Sequence, residues 1–93
     1  MIVSAALRFR TTDGKEHIMP LHRHADGFFI ISDFGIPYIR SSVEQGFINS
    51  EPDGERYSFE FVDRISAKKI AAENHQLLDP DNTYGELFSE DLW

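Results

Sequence analysis

The 93-residue chain contains no cysteine. This absence excludes a disulfide scaffold, a thiolate zinc site and a cysteine nucleophile. The chain also lacks any apolar run near the roughly 18 residues that span a membrane, and no signal peptide precedes its first strand-like segment, so we expect a cytoplasmic protein. A chain of this length forms one domain with a small core, which a partner subunit often stabilises further.

Basic residues are scarce and unevenly distributed. The formal net charge of −7 argues against duplex nucleic-acid binding, because such binding gains affinity from paired phosphates. Residues 1–43 carry five basic and four acidic side chains, whereas residues 44–93 carry four basic and twelve acidic ones. Residues 79–93 contain no Lys or Arg, yet include the apolar pairs Leu87-Phe88 and Leu92-Trp93. These pairs predict that the acidic segment docks on the domain.

The first segment has the two-residue hydrophobic period of a half-buried strand. We predict that Val3, Ala5, Leu7 and Phe9 lie on one face. Asp13-Gly14 favours a hairpin turn, and Glu16 to Met19 is predicted to return as a second strand. Pro20 should end this strand because it lacks an amide donor.

Residues 21–35 leave two alternatives open. Gly27 to Ile31 has the β-branched and aromatic content of a buried strand. Alternatively, His24 to Phe34 forms a short helix that ends at Gly35. The buried stripe of that helix would contain Ala25, Phe28, Ile31 and Gly35. The local pattern favours the strand, although periodicity does not decide between strand and helix in an apolar run this short.

The second half is predicted as another hairpin followed by a helix. Val43 to Asn49 and Arg56 to Val62 have strand patterns, and Ser50 to Glu55 contains the Pro, Asp and Gly of a turn. In the second strand, the aromatic side chains share one face. These are Tyr57, Phe59 and Phe61.

Asp63 is predicted to cap the helix that follows this hairpin. Its carboxylate can accept the free amide of Ser66, and Ile65 to Gln76 contains neither Gly nor Pro. Pro80 blocks any extension of the helix. We find no internal repeat in the sequence.

The tripeptide His22-Arg23-His24 is the densest cluster of functional side chains. A metal site would need a third ligand at a diagnostic spacing, which the sequence lacks, so we predict no metal and no cofactor. At a helix N-terminus, the Arg23 guanidinium and a His24 ring N–H could converge with main-chain amides on a phosphate. The alternative is a polar turn without a ligand.

Gly46-Phe47 is a second candidate site. A glycine beside a large ring in a strand can let a planar ligand approach the backbone and stack on the ring, although Phe47 as an ordinary core residue is an equal alternative. Arg64 stands at a helix start, where the dipole disfavours a cation. It is predicted either to bind an anion or to pair with Glu60 or Glu90, and Arg56 has the same two interpretations.

Catalytic motifs were not found. No Gly-x-Ser-x-Gly elbow supports a serine hydrolase, and no glycine-rich loop supports nucleotide triphosphate turnover. Glu90 and Asp91 would point to opposite sides of an extended segment. We therefore predict a protein without enzymatic activity.

Several strings together resemble a known group of proteins. Arg23-His24-x-Asp26 opens the middle segment, residues 44–50 read EQGFINS, Phe61-Val62-Asp63-Arg64 leads into the late helix, and residues 87–93 read LFSEDLW. The set resembles a family of small phage and prophage proteins that includes the Thoeris anti-defence nucleotide sponges. The resemblance covers roughly residues 20–93.

The resemblance implies an α+β protomer with an antiparallel sheet of about four strands and two helices, assembling as a homo-oligomer. It implies that the protein sequesters a cyclic ADP-ribose isomer or cyclic oligonucleotide without cleaving it, in pockets shared between protomers. Phe47 would stack on a base and Asn49 would make polar contacts. The phosphates would be held by Arg23, Arg64 and Arg56.

The resemblance also favours the helical alternative for His24 to Phe34, which we adopt. The prediction for residues 1–93 is then one domain with an N-terminal hairpin, a helix, a second hairpin, a second helix and a docking tail.

Two other function classes stay open. The acidic half suggests a protein-binding module that inhibits a host enzyme by nucleic-acid mimicry, since carboxylates can imitate phosphates. A third hypothesis is a small hydrolase that uses His22, His24 or Asp26.

Overall fold

The computed structural model describes all residues from Met1 to Trp93. Its main elements are β1 (Ile2–Arg10), β2 (Glu16–Leu21), α1 (His24–Asp33), β3 (Glu44–Asp53), β4 (Arg56–Asp63) and α2 (Arg64–Glu73). The strands form one antiparallel sheet in the order β2-β1-β3-β4, and both helices pack on the same face of it. This confirms the predicted α+β class with four antiparallel strands and two helices.

A strand–strand–helix unit occurs twice in the structure, although the sequence shows no internal repeat. The helices α1 and α2 each have ten residues and begin 40 positions apart, at residues 24 and 64. Each is followed by a residue with positive φ, Gly35 at +60° and His75 at +56°. The next amide then bonds back to the helix, from Ile36 to the Ile31 carbonyl and from Gln76 to the Ala71 carbonyl. The repeat escapes the sequence because it lies in backbone geometry.

A β-bulge corrects the predicted face of β1. The pairing of β1 with β3 shifts between Ile2 and Ser4, which leaves Val3 as the extra residue. The bulge places Ile2 in the core and turns Val3 to the other face, where 46% of it is exposed. The prediction was therefore wrong for Val3. The other members of the predicted face are buried, namely Ala5, Leu7 and Phe9.

Both strand prolines lie inside strands rather than at their ends. Pro20 is paired with Ala6 on the edge strand β2, and Pro52 is paired with Tyr57. Beyond Ser50, β3 pairs with β4 alone, so its other edge makes no hydrogen bonds to a neighbouring strand. A proline, which has no amide donor, is therefore tolerated at position 52. The predicted turn over residues 50–55 was consequently too long, and only Gly54 and Glu55 lie outside the strands.

The helix α1 confirms the helical alternative, but its buried stripe differs from the prediction. The buried residues are His24, Gly27 and Ile31, whereas Ala25 and Phe28 are exposed. Gly27 allows the helix to approach the sheet closely, because a Cβ there would lie 2.5 Å from Leu7 Cδ1 and 2.6 Å from Leu21 Cδ1.

The helix α2 begins as predicted and ends early. The Asp63 carboxylate accepts the Ser66 amide at 2.7 Å, which confirms the cap. This hydrogen bond lowers the pKa of Asp63 below its usual value. The left-handed conformation of His75 ends the helix, so Leu77 and Leu78 lie beyond it.

Two hydrophobic clusters fill the space between the sheet and the helices. The smaller cluster, under α1, contains Leu7, Phe9, Leu21 and Ile31. The larger cluster, under α2, contains Ile2, Ala5, Phe47, Ala67, Ala71, Leu77, Leu87 and Leu92. Three of these eight residues belong to segment 77–93, the name used here for the chain after α2, so the larger core is complete only when this segment is docked.

The opposite side of the sheet, here called the open face, carries neither helix. Paired residues of adjacent strands share a face, so Gly46, Ile48, Phe59 and Phe61 all project here. The expected shared face of the aromatic residues of β4 is thus confirmed. No helix of the protein is long and apolar enough to cross a membrane.

Gly46 makes room for Phe61 on this face. A Cβ on Gly46 would lie 2.3 Å from Phe61 Cζ and 2.4 Å from the Val62 carbonyl oxygen. The Arg8 guanidinium lies 4.5 Å from the centre of the same Phe61 ring. The space beside Gly46, where the sequence suggested a planar ligand, is therefore filled by the Phe61 ring of the same chain.

We expect Gly46→Ala to destabilise the protein by about 1–3 kcal/mol, because the added methyl group meets a backbone carbonyl that cannot move without disturbing the β3–β4 ladder. Urea unfolding measures the loss. Ser50→Ala, at another position of β3 on the same face, is the control and should change the free energy of unfolding by less than about 0.5 kcal/mol. Equal stability of the two variants would contradict the packing role of Gly46.

Candidate functional site

Two of the predicted ligand residues meet in the core. The Phe47 ring is fully buried, and the His24 ring packs edge-on against it at a centroid distance of 5.0 Å. His24 Nε2 lies 2.7 Å from the Gly46 carbonyl oxygen, which can only accept, so this nitrogen donates. The His24–Phe47 pair therefore tethers α1 to β3, and it presents no ring face to a ligand.

Asn49 is also engaged within the protein. Its Oδ1 accepts a hydrogen bond from the Met1 nitrogen at 2.8 Å, and its Nδ2 donates to Glu51 and Glu60 at 3.1 and 3.3 Å. The side chain is buried. Asn49 thus holds the start of β1 against the β3–β4 hairpin.

Arg23 holds segment 77–93. Its guanidinium donates to the Trp93 carbonyl oxygen and to Ser89 Oγ, and it lies 3.9 Å from a Glu90 carboxylate oxygen. The Trp93 indole N–H in turn donates to the His22 carbonyl oxygen at 3.0 Å. These contacts connect the chain before α1 to the far end of the segment.

Arg64 makes a similar connection at the other end of the fold. It pairs with Glu86 at 3.0 Å and stacks over the Phe88 ring at 5.3 Å. The predicted partners Glu60 and Glu90 were thus not the ones found. Arg56 stands apart, exposed beside the β3–β4 turn and without a carboxylate within 4.0 Å.

The structure brings His24 and Phe47 together, but the six predicted ligand residues do not line one common cavity. These residues are Arg23, His24, Phe47, Asn49, Arg56 and Arg64. A depression of about 370 Å³ lies at Arg64, and it is also lined by the carboxylates of Glu44, Asp63 and Glu86. Three carboxylates against one guanidinium disfavour a phosphate there. A second depression, of about 380 Å³, lies between Val3, Ser4, Pro20, Leu21, His22 and Trp93.

This second depression has an aromatic wall. The His22 and Trp93 rings stack at a centroid distance of 5.4 Å, and the residue between His22 and α1 is Arg23. It is the place where an aromatic surface and a predicted guanidinium lie close together. The sequence predicted that Trp93 docks on the domain. It gave no signal that the His22 ring stacks on the Trp93 ring.

The buried charged residue that sequence reasoning missed is Lys68. Its side chain is only 2% exposed, and its Nζ lies 3.2 Å from Asp91 Oδ2. Asp91 also accepts the Phe88 amide at 2.9 Å and the Asn82 Nδ2 at 3.2 Å. The available signal was a lysine between Ala67 and Ala71, both on the apolar stripe of α2.

The docked segment carries an acidic surface. We call the exposed carboxylates of α2 and segment 77–93 the acidic surface; they are Glu73, Asp79, Asp81, Glu86 and Glu90. Because Leu77, Leu87 and Leu92 are buried, these carboxylates stand on an ordered framework. The β3–β4 hairpin adds five more exposed acidic residues, namely Glu51, Asp53, Glu55, Glu60 and Asp63.

The fold and its surfaces define a small α+β protein built from two strand–strand–helix units with one strongly acidic side. The family model described as phage T4 y16D protein matches residues 1–93. The chain therefore belongs to the phage T4 y16D protein family. No curated protein and no solved structure matches it.

We expect Asp91→Asn to cost about 3 kcal/mol of unfolding free energy, because it leaves the Lys68 ammonium buried without a counter-charge. Adding Lys68→Met to this variant should recover more than half of the loss. Chemical denaturation of the single and double variants measures both. Lys69→Met, at the exposed neighbouring position, is the control, and additive losses in the double variant would contradict the ion-pair argument.

Proposed function

We propose that this phage protein is a non-catalytic binding protein that inhibits a nucleic-acid-binding protein of the host by presenting carboxylates in place of phosphates. The observation that carries the proposal is the docking of segment 77–93. A disordered acidic tail would serve solubility, whereas carboxylates on a docked segment form a surface of defined shape.

The distribution of charge supports this proposal. Residues 44–93 carry a balance of −8, from four basic and twelve acidic side chains. Lys68 and Arg64 are already paired with Asp91 and Glu86, so these cations hold the segment in place. Asp79 and Asp81 are exposed and have no cationic partner within 4.0 Å. Such a surface attracts the basic grooves in which proteins hold nucleic acid.

The acidic surface is tested with host proteins that bind DNA. The DNA-binding proteins of a host lysate are first isolated on DNA-cellulose. We expect the immobilised phage protein to retain at least one of them, and we expect duplex DNA to compete for its binding. Asp79→Asn with Asp81→Asn should weaken its binding at least about tenfold, because each lost contact removes a charge pair. Titration calorimetry at several salt concentrations measures this.

The matched control is Asp26→Asn with Asp33→Asn, which removes the same charge from α1 in the other half of the chain. It should bind like the unchanged protein. Deletion of residues 79–93 is not a usable control, since it would remove Leu87 and Leu92 from the core. The proposal fails if no DNA-binding protein is retained. It also fails if the amount retained changes neither with salt concentration nor with the Asp79 and Asp81 substitutions.

Sequestration of a cyclic nucleotide is the second candidate function. The depression beside His22 and Trp93 favours it, because its volume of about 380 Å³ is in the range of small-molecule sites and Arg23 contacts Trp93, one of its lining residues. Phe47→Ala is unsuitable as its test, since loss of a buried ring costs about 3–5 kcal/mol of stability.

A panel of cyclic ADP-ribose isomers and cyclic dinucleotides tests this candidate. The protein is incubated with the panel, freed of unbound ligand and heat-denatured, and the supernatant is analysed by mass spectrometry. Recovery of an intact nucleotide that Arg23→Ala abolishes would support sequestration, since Arg23 is the predicted phosphate-binding residue that contacts Trp93. A cleaved nucleotide would instead indicate a hydrolase, and an empty supernatant would exclude the whole panel.

A further inference from the structure

The open face of the sheet is apolar where an uncovered antiparallel sheet is normally polar. Phe59 is 67% exposed and Tyr57 is 65% exposed. Val3, turned outward by the bulge, and Ile18 on β2 are each 46% exposed. Val3, Ile18, Ile48, Phe59 and Phe61 line one continuous depression of about 360 Å³ across all four strands. The open face therefore carries an apolar patch that reaches from β2 to β4, with Ser4 and Glu60 also lining the depression and the charged pair Arg8 and Glu44 on the same face.

The geometry points to a second copy of this chain as the occupant of the open face, packed against the same face of the first. The proposal concerns self-association and is independent of the acidic surface proposed above to bind a host protein. It assigns the predicted homo-oligomer to a defined set of residues.

The size of the apolar patch supports this assignment. Aromatic side chains bury roughly 150–250 Å² each when covered, so the exposed parts of Tyr57 and Phe59 alone present about 250 Å². With Val3, Ile18 and the partly covered Phe61, the patch reaches the roughly 300–600 Å² of the largest apolar patch on a typical protein, which is often an interaction site. It supplies the apolar centre of an interface of about 800 Å² per partner.

The charges on this face favour a copy of the same chain. Arg8 is paired with Glu44 at 2.5 Å and with Glu16 at 3.5 Å, and Arg10 lies opposite Glu16 in the β1–β2 register, so two guanidinium groups balance two carboxylates within each protomer. The carboxylates of segment 77–93 belong to the opposite side, where the segment covers α2. Two copies with a net charge of −7 can therefore meet through their open faces while their acidic surfaces point apart.

The resulting dimer has a simple architecture. The protomer is only 19 Å thick along its shortest axis, which accommodates one sheet and one helical layer. Two sheets stacked face to face, about 10 Å apart, would give four layers with the helices outside. Such an interface is isologous, which means that both copies contribute the same residues to it, including Phe59.

Phe59→Glu tests this interface, and Phe29→Glu on α1 is its matched control, since both rings are 67% exposed. Sedimentation equilibrium at micromolar concentrations should show a dimer for the unchanged protein and for Phe29→Glu. Phe59→Glu should weaken dimerisation by at least about 100-fold, because it places two like charges in an apolar centre. Circular dichroism verifies that each variant is folded.

A second measurement does not depend on those variants. Because the chain has no cysteine, a nitroxide on Ser50→Cys reports the open face alone, and one on Ser66→Cys reports the start of α2. The Ser50 label should lose mobility on dimerisation, and the Ser66 label should keep it. If both Phe variants are monomeric, an immobilised Ser50 label in the unchanged protein supports the proposal and a mobile one overturns it.

Two further results would overturn the proposal. One is an unchanged protein that stays monomeric at all concentrations. The other is a dimer that is lost with Phe29→Glu but kept with Phe59→Glu, which would move the interface to α1.

Discussion

The ion pair between Lys68 and Asp91 is the contact on which the second half of this protein depends. It lies beneath segment 77–93, where the ammonium has almost no access to water. A buried charge is tolerated only with a partner, so α2 can pack as observed only when the segment is docked. The same docking supplies Leu77, Leu87 and Leu92 to the larger core and directs the other carboxylates of the segment outward.

The two strand–strand–helix units share a backbone plan but are covered differently. Segment 77–93 covers α2, and it shields the position of Lys68. Phe28 holds the corresponding place in α1, 40 residues earlier, and is 40% exposed. The second unit therefore has the larger core and the acidic exterior. The proposed host-binding surface and the proposed dimer interface then lie on opposite sides of the sheet, so one does not obstruct the other.

The cations of this chain show why a list of arginines does not define a ligand site. In an acidic protein, a guanidinium finds carboxylates and carbonyl groups of its own chain, and these compete with any bound anion. Arg23 and Arg64 are both used in this way, Arg23 at the last residues of segment 77–93 and Arg64 at its interior residues Glu86 and Phe88. Phe47 illustrates the related point for rings, since a large aromatic residue on a central strand is buried by the layer above it.

Local patterns in the sequence were sufficient for the four strands, the helix α2, the Asp63 cap and the shared face of the β4 aromatics, because each depends on residues close together in the chain. They did not decide between strand and helix for α1. The bulge at Val3, the strand prolines, the repeat and the partners of Arg23, Arg64 and Lys68 were decided only by the tertiary structure. Each of these depends on which strand lies beside which, or on segment 77–93 returning to α2. A side chain that can be core, ion pair or ligand contact is assigned to one of them by neighbours distant in sequence.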